Sequence, residues 1–104
     1  MRVLVQSSSI DITEALRRFI DEQVQRICRK SHQISKICVF LDVIGRKKND
    51  PKSSQAKFLI MVPGKDIVVK RTATNLYDAI VDVSRRAARQ LGKAQKTRLQ
   101  KARR

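Results

Sequence analysis

Apolar residues alternate with polar ones in four short stretches of the chain, as they do in β-strands. The four predicted strands cover residues 2–7, 36–44, 54–62 and 67–73. The first strand places Val3 and Val5 on one face. The second is apolar on both faces apart from Asp42, which is typical of a central strand. The turn PGKD, at 63–66, joins the last two strands into a predicted hairpin.

Two longer segments repeat apolar residues every three or four positions, which indicates helices with one buried face. The first segment spans 10–30, and its apolar face consists of Leu16, Phe19, Ile20, Val24 and Ile27. A capping box formed by Asp11 and Glu14 is predicted at its start, with Thr13 as the alternative cap. The second helix begins near Asn75, and its apolar line consists of Leu76, Ile80, Val83, Ala87 and Leu91, flanked by Tyr77 and Ser84.

These elements follow one another in the order β-α-β-β-β-α, which predicts an α+β fold. The first helix is expected to be the crossover between two parallel strands, and the remaining strands to form a meander. Because each helix has a single apolar stripe, both should pack on one face of a four-stranded sheet. We expect one domain over residues 1–96 and a basic, flexible C-terminal tail over 97–104.

The charge balance changes this picture from a generic small domain to a candidate nucleic-acid-binding protein. The chain has 24 Lys and Arg against 9 Asp and Glu, for a net charge of +15, which favours a polyanionic partner. The positive charge is also segregated, because nine Lys and Arg but no acid follow Asp82. Opposite the apolar line of the second helix lies a predicted basic ridge, consisting of Arg86, Arg89, Lys93 and Lys96 with Arg85 at its margin.

Two explanations of the basic ridge compete. Basic residues near a helix C terminus stabilise the helix dipole, and an exposed helix face is normally charged. However, Arg85, Arg89 and Lys93 repel one another at i,i+4 spacing, which costs a few tenths of a kcal/mol per pair. A polyanion would convert that repulsion into affinity. The charge segregation therefore favours the interpretation of the ridge as a binding surface.

Other functional classes find little support in the sequence. The chain has no G-x-S-x-G, P-loop or H-E-x-x-H motif, so we expect no enzyme and no small-molecule substrate. Cys28, His32 and Cys38 offer at most three soft ligands, fewer than a structural zinc site needs, so we expect no metal and no cofactor. Both cysteines are expected to be reduced thiols. No apolar run approaches the ~20 residues of a membrane span, and we expect a cytoplasmic protein without membrane contact.

The few aromatic residues predict how a nucleic acid would be bound. The chain has four, Phe19, Phe40, Phe58 and Tyr77, and no strand carries the pattern of a base-stacking platform. Phe19 and Tyr77 lie on or beside apolar helix faces and are expected in the core. We therefore expect contacts to phosphates and sugars, with recognition by shape.

Several stretches of the sequence resemble the ribosome hibernation promoting factor family, which includes the ribosome-associated inhibitor. The resemblance covers essentially the full length. It is carried by ITEALRRFI (12–20) after a short first strand, by the three-stranded meander, and by NLYDAI (75–80) with ARQLGK (88–93) in the last helix. It implies a β-α-β-β-β-α fold related to double-stranded-RNA-binding domains, in agreement with the elements predicted from the pattern.

The resemblance also implies a function. Such proteins bind the small ribosomal subunit in stationary phase or stress, in the channel between head and body where messenger and transfer RNA would sit. They silence translation and protect idle ribosomes. The length of the chain and its basic end resemble the short subtype, which promotes ribosome dimerisation. In that subtype a separate small ribosome modulation factor typically assists the pairing, so it is a second expected partner beside the ribosomal RNA of the small subunit.

Site residues follow from the resemblance and from the basic residues beside the matching positions. Family basic positions match Arg26 in the first helix and Arg86, Arg89 and Lys93 in the last. The predicted rRNA-binding residues are Arg26, Arg29, Arg85, Arg86, Arg89, Lys93 and Lys96. The chain departs from the family pattern at three positions: Gln23 replaces a usual base, Asn75 replaces a usual Asp, and Val81 replaces a common acid.

Two alternatives stay open at the level of the sequence, and a third is disfavoured. A general double-stranded-RNA-binding or nucleoid-associated protein would use the same positive charge. A module that docks an acidic protein partner would also use it. A membrane-surface helix would need a larger apolar face than a stripe containing Ala87 and Ser84 provides.

Overall fold

The computed structural model describes residues 2–29, 33–43 and 53–102, with side chains described as far as Gly92. Its elements are β1 (Arg2–Ser7), α1 (Glu14–Cys28), β2 (Lys36–Val43), β3 (Ser54–Val62), β4 (Lys65–Ala73) and α2 (Leu76–Ala102). The predicted order β-α-β-β-β-α is thereby confirmed. His32 and residues 45–52 of the predicted loop lie outside the described residues. Helix α2 extends into the segment 97–104, and the division of the chain at residue 96 stays a prediction.

The four strands form one sheet in the order β1-β2-β3-β4. Strand β1 pairs parallel with β2, as expected of strands joined by a helical crossover, whereas β3 pairs antiparallel with both of its neighbours. The register aligns Val5 with Val39, Val39 with Phe58, and Phe58 with Val69. Strands β2 and β3 are therefore central, which explains why β2 is apolar on both faces.

Both helices pack on one face of this sheet. Alternate residues of each strand face the helices, and in the central strands these residues are fully buried, namely Ile37, Val39, Leu41, Ala56, Phe58 and Ile60. The helices contribute Leu16, Ile20, Val24, Ile27, Ala79, Ile80, Val83, Ala87 and Leu91 to the same core. Val43 continues the helix-facing alternation of β2 but is 42% exposed, because β2 ends there.

The start of α1 corrects the prediction of a capping box at Asp11. Helix α1 begins at Glu14, and Thr13 is the N-cap: its backbone is extended, with φ −70° and ψ 161°, and its Oγ1 accepts a hydrogen bond from the Leu16 N–H at 3.1 Å. A threonine hydroxyl can satisfy one of the helix's first free N–H groups directly. The alternative cap is thus correct, and the Asp11–Glu14 pair is not the capping box.

Helix α2 begins with a reciprocal cap. The Asn75 Oδ1 accepts a hydrogen bond from the Asp78 N–H at 2.9 Å, and the Asn75 Nδ2 donates to the Asp78 Oδ2 at 3.0 Å. The side chain of Asn75 therefore satisfies a free N–H group and also orients the carboxylate of the first turn, where an acid stabilises the helix dipole. An aspartate at position 75 could make only the first of these bonds.

The hairpin between β3 and β4 is tighter than predicted. Strand β4 begins at Lys65 rather than at 67, because the turn needs only Pro63 and Gly64 and the register then pairs Val62 with Lys65. Gly64 has φ 84°, a conformation that costs glycine little and other residues more. Proline followed by a glycine with positive φ is the pattern of a type II turn.

Candidate nucleic-acid interface

The two helices begin at the same edge of the sheet and run in the same direction. Strands β1, β2 and β4 point the same way, because β1 is parallel to β2 and β3 is antiparallel to both β2 and β4. Helix α1 must return from the end of β1 to the start of β2, and α2 follows the end of β4 after two residues. The C-terminal halves of both helices therefore lie towards the opposite edge.

An aromatic contact aligns the first turns of the helices. The rings of Phe19 in α1 and Tyr77 in α2 meet edge to face, with 4.9 Å between ring centroids and 63° between ring planes. Phe19 is partly buried against the core, whereas Tyr77 is 46% exposed, so the expectation that Tyr77 belongs to the core is wrong. The Tyr77 ring covers the junction of the two helices on the solvent side.

Charges are separated along these parallel helices. Glu14 and Asp78 lie in the first turns of α1 and α2, and Arg26 lies in the last turn of α1. Acids near helix N termini and bases near C termini both stabilise the helix dipole. Because the helices are parallel, this arrangement produces one acidic end and one basic end of the helical layer.

Helical spacing places Arg26 and Arg85 at the groove between the helices. Arg26 follows Phe19 by seven residues, so it lies on the side of α1 that faces α2, about 10 Å further along. Ser84 has the same relation to Tyr77, is 4% exposed, and directly precedes the exposed Arg85. Arg26 and Arg85 thus flank a groove, and on the α2 side of this groove lies the small side chain of Ser84.

Arg29 and Arg89 extend this pair by one turn, since they follow Arg26 by three residues and Arg85 by four. We call Arg26, Arg29, Arg85 and Arg89 the arginine cluster. Arg86 is also exposed but lies on the flank of α2 that faces away from α1. Lys93 and Lys96 belong to α2, and their side chains lie outside those described.

The arginine cluster has no ion pair within the part of the chain that the structure describes. Within the described part of the chain the ion pairs are Arg17–Asp21 and Arg18–Glu14, each at 3.5 Å, and neither involves the cluster. Arg17 also donates to the backbone oxygen of Val3 at 3.3 Å, which ties α1 to β1. The arginines near the acidic end therefore have intramolecular partners, and those near the basic end are available to an external anion.

The three departures from the family pattern have different structural contexts. Gln23 is 6% exposed, so it lies within the packed layer and not on the open basic surface. Asn75 caps α2 as described above. Val81 is half-buried on the side of α2 that faces α1. None of these three positions belongs to the arginine cluster. The sequence alone does not show which of the three is buried.

At the other end of the domain, the carboxylate of Asp42, which interrupts the apolar pattern of β2, fastens the loop between β1 and α1. The Asp42 Oδ1 accepts hydrogen bonds from the Ser8 hydroxyl at 2.7 Å, the Ser8 N–H at 3.3 Å and the Ser9 hydroxyl at 3.3 Å. The Ser9 Oγ also accepts from the Val43 N–H at 3.0 Å. Chiefly because of the Ser8 hydroxyl, the pKa of Asp42 is lowered. This arrangement explains the serine run as a connection between β1 and α1.

Other chemistry is sparse in the described residues. They contain no group of three His, Cys, Asp or Glu side chains that could hold a metal ion. Burial raises the pKa of the Cys28 thiol, because it disfavours the charged thiolate. Neither α1 nor α2, as far as they are described, combines the length and the apolar character that crossing a membrane requires.

The family model described as sigma 54 modulation protein / S30EA ribosomal protein matches residues 3–100. The chain belongs to this family. Its members are ribosome-associated factors and are not known as enzymes. No curated protein matches the chain significantly.

Solved structures of other proteins share the fold of this chain. A ribosomal subunit interface protein from Coxiella burnetii is 21% identical, with a TM-score of 0.77 over 92% of this chain and 99% of that one. The N-terminal domain of Protein Y from Thermus thermophilus is 22% identical, with a TM-score of 0.71 over 88% of this chain and 93% of that one. The solved structures thus share the fold of this chain, and the family match places the chain in the S30EA family.

Proposed function

We propose that this S30EA-family protein binds ribosomal RNA of the small subunit through the arginine cluster, assisted by Arg86, Lys93 and Lys96. The observation that carries the proposal is the set of exposed arginines that lack an intramolecular ion pair within the described chain, on two parallel helices of a ribosome-associated domain. Guanidinium groups bind phosphate oxygens in a bidentate manner, so a row of them suits an RNA backbone.

The proposed place of binding is the channel between the head and body of the small subunit. Bound there, the domain would exclude messenger and transfer RNA and silence translation in stationary phase or stress. The dimensions support this, because the 27 residues of α2 span about 40 Å, several phosphate spacings of an RNA strand. The scarcity of exposed aromatics supports contacts to phosphates rather than to bases. Cytoplasmic localisation follows from this proposal.

Co-sedimentation with purified small subunits at moderate salt tests the binding. The variant Arg26→Glu/Arg85→Glu/Arg89→Glu should lose binding, whereas wild type should pellet with the subunits. A matched control, Arg2→Glu/Lys36→Glu/Lys70→Glu, makes the same charge change on the sheet face away from the helices and should retain most binding. Equal loss in both variants would mean that net charge, not the arginine cluster, accounts for association.

The alternative function is general binding of double-stranded RNA or DNA, since the same arginines would serve any duplex. Competition distinguishes the two. Small subunits should displace the protein from an arbitrary RNA duplex at a low competitor concentration, counted as nucleic-acid phosphate. Displacing the protein from small subunits should need a much higher concentration of the duplex, counted in the same way. Comparable affinity for both would favour the general nucleic-acid-binding function.

Ribosome dimerisation is a further part of the proposal, with a separate small modulation factor as its second partner. Sucrose-gradient profiles of stationary-phase lysates with and without the protein test it. A dimer peak that requires both proteins is the expected result. A dimer peak with this protein alone would show that the second factor is not required. If no combination gives a dimer peak, dimerisation is not part of the function.

A further inference from the structure

The sheet face away from the helices carries a continuous aliphatic row. Strand register aligns Leu4 with Cys38, Cys38 with Leu59, and Leu59 with Val68, so one apolar residue from each strand lies in line across the sheet. All four alternate with helix-facing neighbours and therefore point to the open face. We call Leu4, Cys38, Leu59 and Val68 the aliphatic row. With strands ~4.8 Å apart, the row is about 14 Å long.

The row is accessible at both ends. Leu4 is 41% and Val68 53% exposed, and these two residues are half of the large hydrophobic residues that are exposed in the described chain. Cys38, at 8% exposure, and the half-buried Leu59 form the middle of the row. Both helices pack on the opposite face, so no described element covers the row. Scattered exposed apolar residues are ordinary, but here the register gathers them into one line.

The rows on either side carry positive charge. One neighbouring row consists of Arg2, Lys36, Met61 and Asp66, and the other of Gln6, Phe40, Lys57 and Lys70. Four bases and one acid thus flank the aliphatic row. A partner that fits this face combines aliphatic side chains along its centre with carboxylates along both margins.

The side chains on this face favour a protein over an RNA. The row contains no ring on which a base could stack. Phe40 is the one aromatic residue of the described open face, and the Lys57 Nζ lies over its ring, 5.6 Å from the centroid. A second copy of the chain is disfavoured as well, because two such faces would bring bases against bases in molecules of net charge +15.

We propose that the open sheet face binds an acidic amphipathic helix of another protein, with its apolar stripe on the aliphatic row and its carboxylates against Arg2, Lys36, Lys57 and Lys70. The spacing supports a helix as the occupant. Apolar residues at i, i+3 or i+4, and i+7 rise about 5 Å from one to the next, close to the strand spacing of the row. Because the arginine cluster lies on the other face, RNA and this helix can be bound together.

A designed peptide with the stated chemistry stands in for the natural partner and tests the proposal. The probe is a fluorescein-labelled peptide of about 18 residues with Leu at i, i+3, i+4 and i+7 and Glu on the remaining face. Its control is a peptide of identical composition in which the order of residues removes the apolar stripe. Fluorescence anisotropy against the full chain should show about tenfold tighter binding of the amphipathic peptide. Equal affinity for the two peptides would overturn the proposal.

Variants locate the binding on the sheet face. Leu4→Gln/Val68→Gln changes two exposed side chains, so the fold should persist, as a thermal melt would verify. It should abolish the preference for the amphipathic peptide. Val43→Gln removes an equally exposed aliphatic residue outside the row and should leave the preference intact. Unchanged preference in Leu4→Gln/Val68→Gln would place the peptide elsewhere and contradict the proposal.

The same double variant distinguishes the other occupants. Small-subunit binding by Leu4→Gln/Val68→Gln should equal that of wild type, and a clear loss would assign the row to RNA. Sedimentation velocity should give the same mass for the free wild-type protein and for the free double variant. A dimer that only the wild type forms would assign the row to a second copy. Either result would overturn the proposal. Failure of the peptide test alone would leave the proposed RNA-binding function untouched, because that function depends on the arginine cluster.

Discussion

The ring of Phe19 meets the ring of Tyr77 edge to face at a centroid distance of 4.9 Å, at the start of both helices. This contact places the first turns of α1 and α2 at the same height. Since the helices are parallel, it also determines that Arg26 and Arg85 emerge at the same level of the groove, two turns further along. We therefore expect the aromatic pair at the acidic end to help position the arginine cluster at the basic end.

Replacing Tyr77 tests the importance of this contact. Tyr77→Ala should lower the free energy of unfolding by about 1 kcal/mol, because the aromatic pair is lost. It should also weaken small-subunit binding, since the helices are no longer held at one height. Urea denaturation and co-sedimentation measure the two effects. Tyr77→Phe keeps the ring and should behave as wild type. A stable Tyr77→Ala variant with unchanged binding would show that the helices are aligned by the core alone.

We expect the position of an arginine in α1 to matter more for binding than its charge alone, and two arginines of this helix provide a matched comparison. Arg26 lies at the groove without an ion pair among the described residues, whereas Arg18 pairs with Glu14 near the acidic end. Arg26→Glu should weaken small-subunit binding by about tenfold and reduce the salt dependence, because at least one phosphate contact is lost. Arg18→Glu makes the same charge change and should have little effect. Similar losses for both would contradict the assignment of the site.

The loop that Asp42 fastens should make stability depend on pH in a defined direction. Its pKa is lowered from the ordinary 3.8 in the folded protein, so its stabilising effect is complete above that value and is lost as the pH falls below it. Asp42→Asn should lower Tm at neutral pH by a few degrees, since neutral hydrogen bonds replace charge-assisted ones. The difference in Tm between wild type and variant should shrink below about pH 4. A difference that stays constant well below that pH would exclude this role of the Asp42 carboxylate.

Gly92 lies inside α2, one residue beyond the buried Leu91 and before the remainder of the helix. A Cβ placed there would meet nothing within 4 Å. Gly92→Ala should therefore stabilise the helix by about 0.5–1 kcal/mol and raise Tm, because alanine loses less backbone entropy on folding. Gly64→Ala provides the contrast: its φ of 84° makes the same substitution destabilising. An unchanged or lower Tm for Gly92→Ala would show that α2 is not helical at this position.

The sequence predicts the fold well because the periodicities of its core residues are unambiguous. Ile37, Val39 and Leu41 alternate as a central strand must, and Ile80, Val83 and Ala87 repeat as a packed helix does. Local geometry was harder to predict. Thr13 and Asp11 are both good caps by composition, and only the hydrogen bond to the Leu16 N–H decides between them.

The candidate site could be predicted only in part. The sequence indicates which side of α2 is basic, but the groove between α1 and α2 depends on their parallel packing. That packing separates Arg85 from Arg86, which are adjacent in the chain but lie on opposite flanks of α2. The aliphatic row depends on strand register, which relates Leu4 to Val68 across 64 positions of sequence. A pattern along the chain cannot show a line across the sheet.

Chemical footprinting of small-subunit ribosomal RNA tests the central claim most directly. Wild-type protein should protect nucleotides in the channel between head and body, and Arg26→Glu/Arg85→Glu/Arg89→Glu at the same concentration should protect none of them. The control Arg2→Glu/Lys36→Glu/Lys70→Glu should reproduce the wild-type pattern. Protection elsewhere on the subunit, or protection in the channel that persists in the arginine variant, would contradict the account.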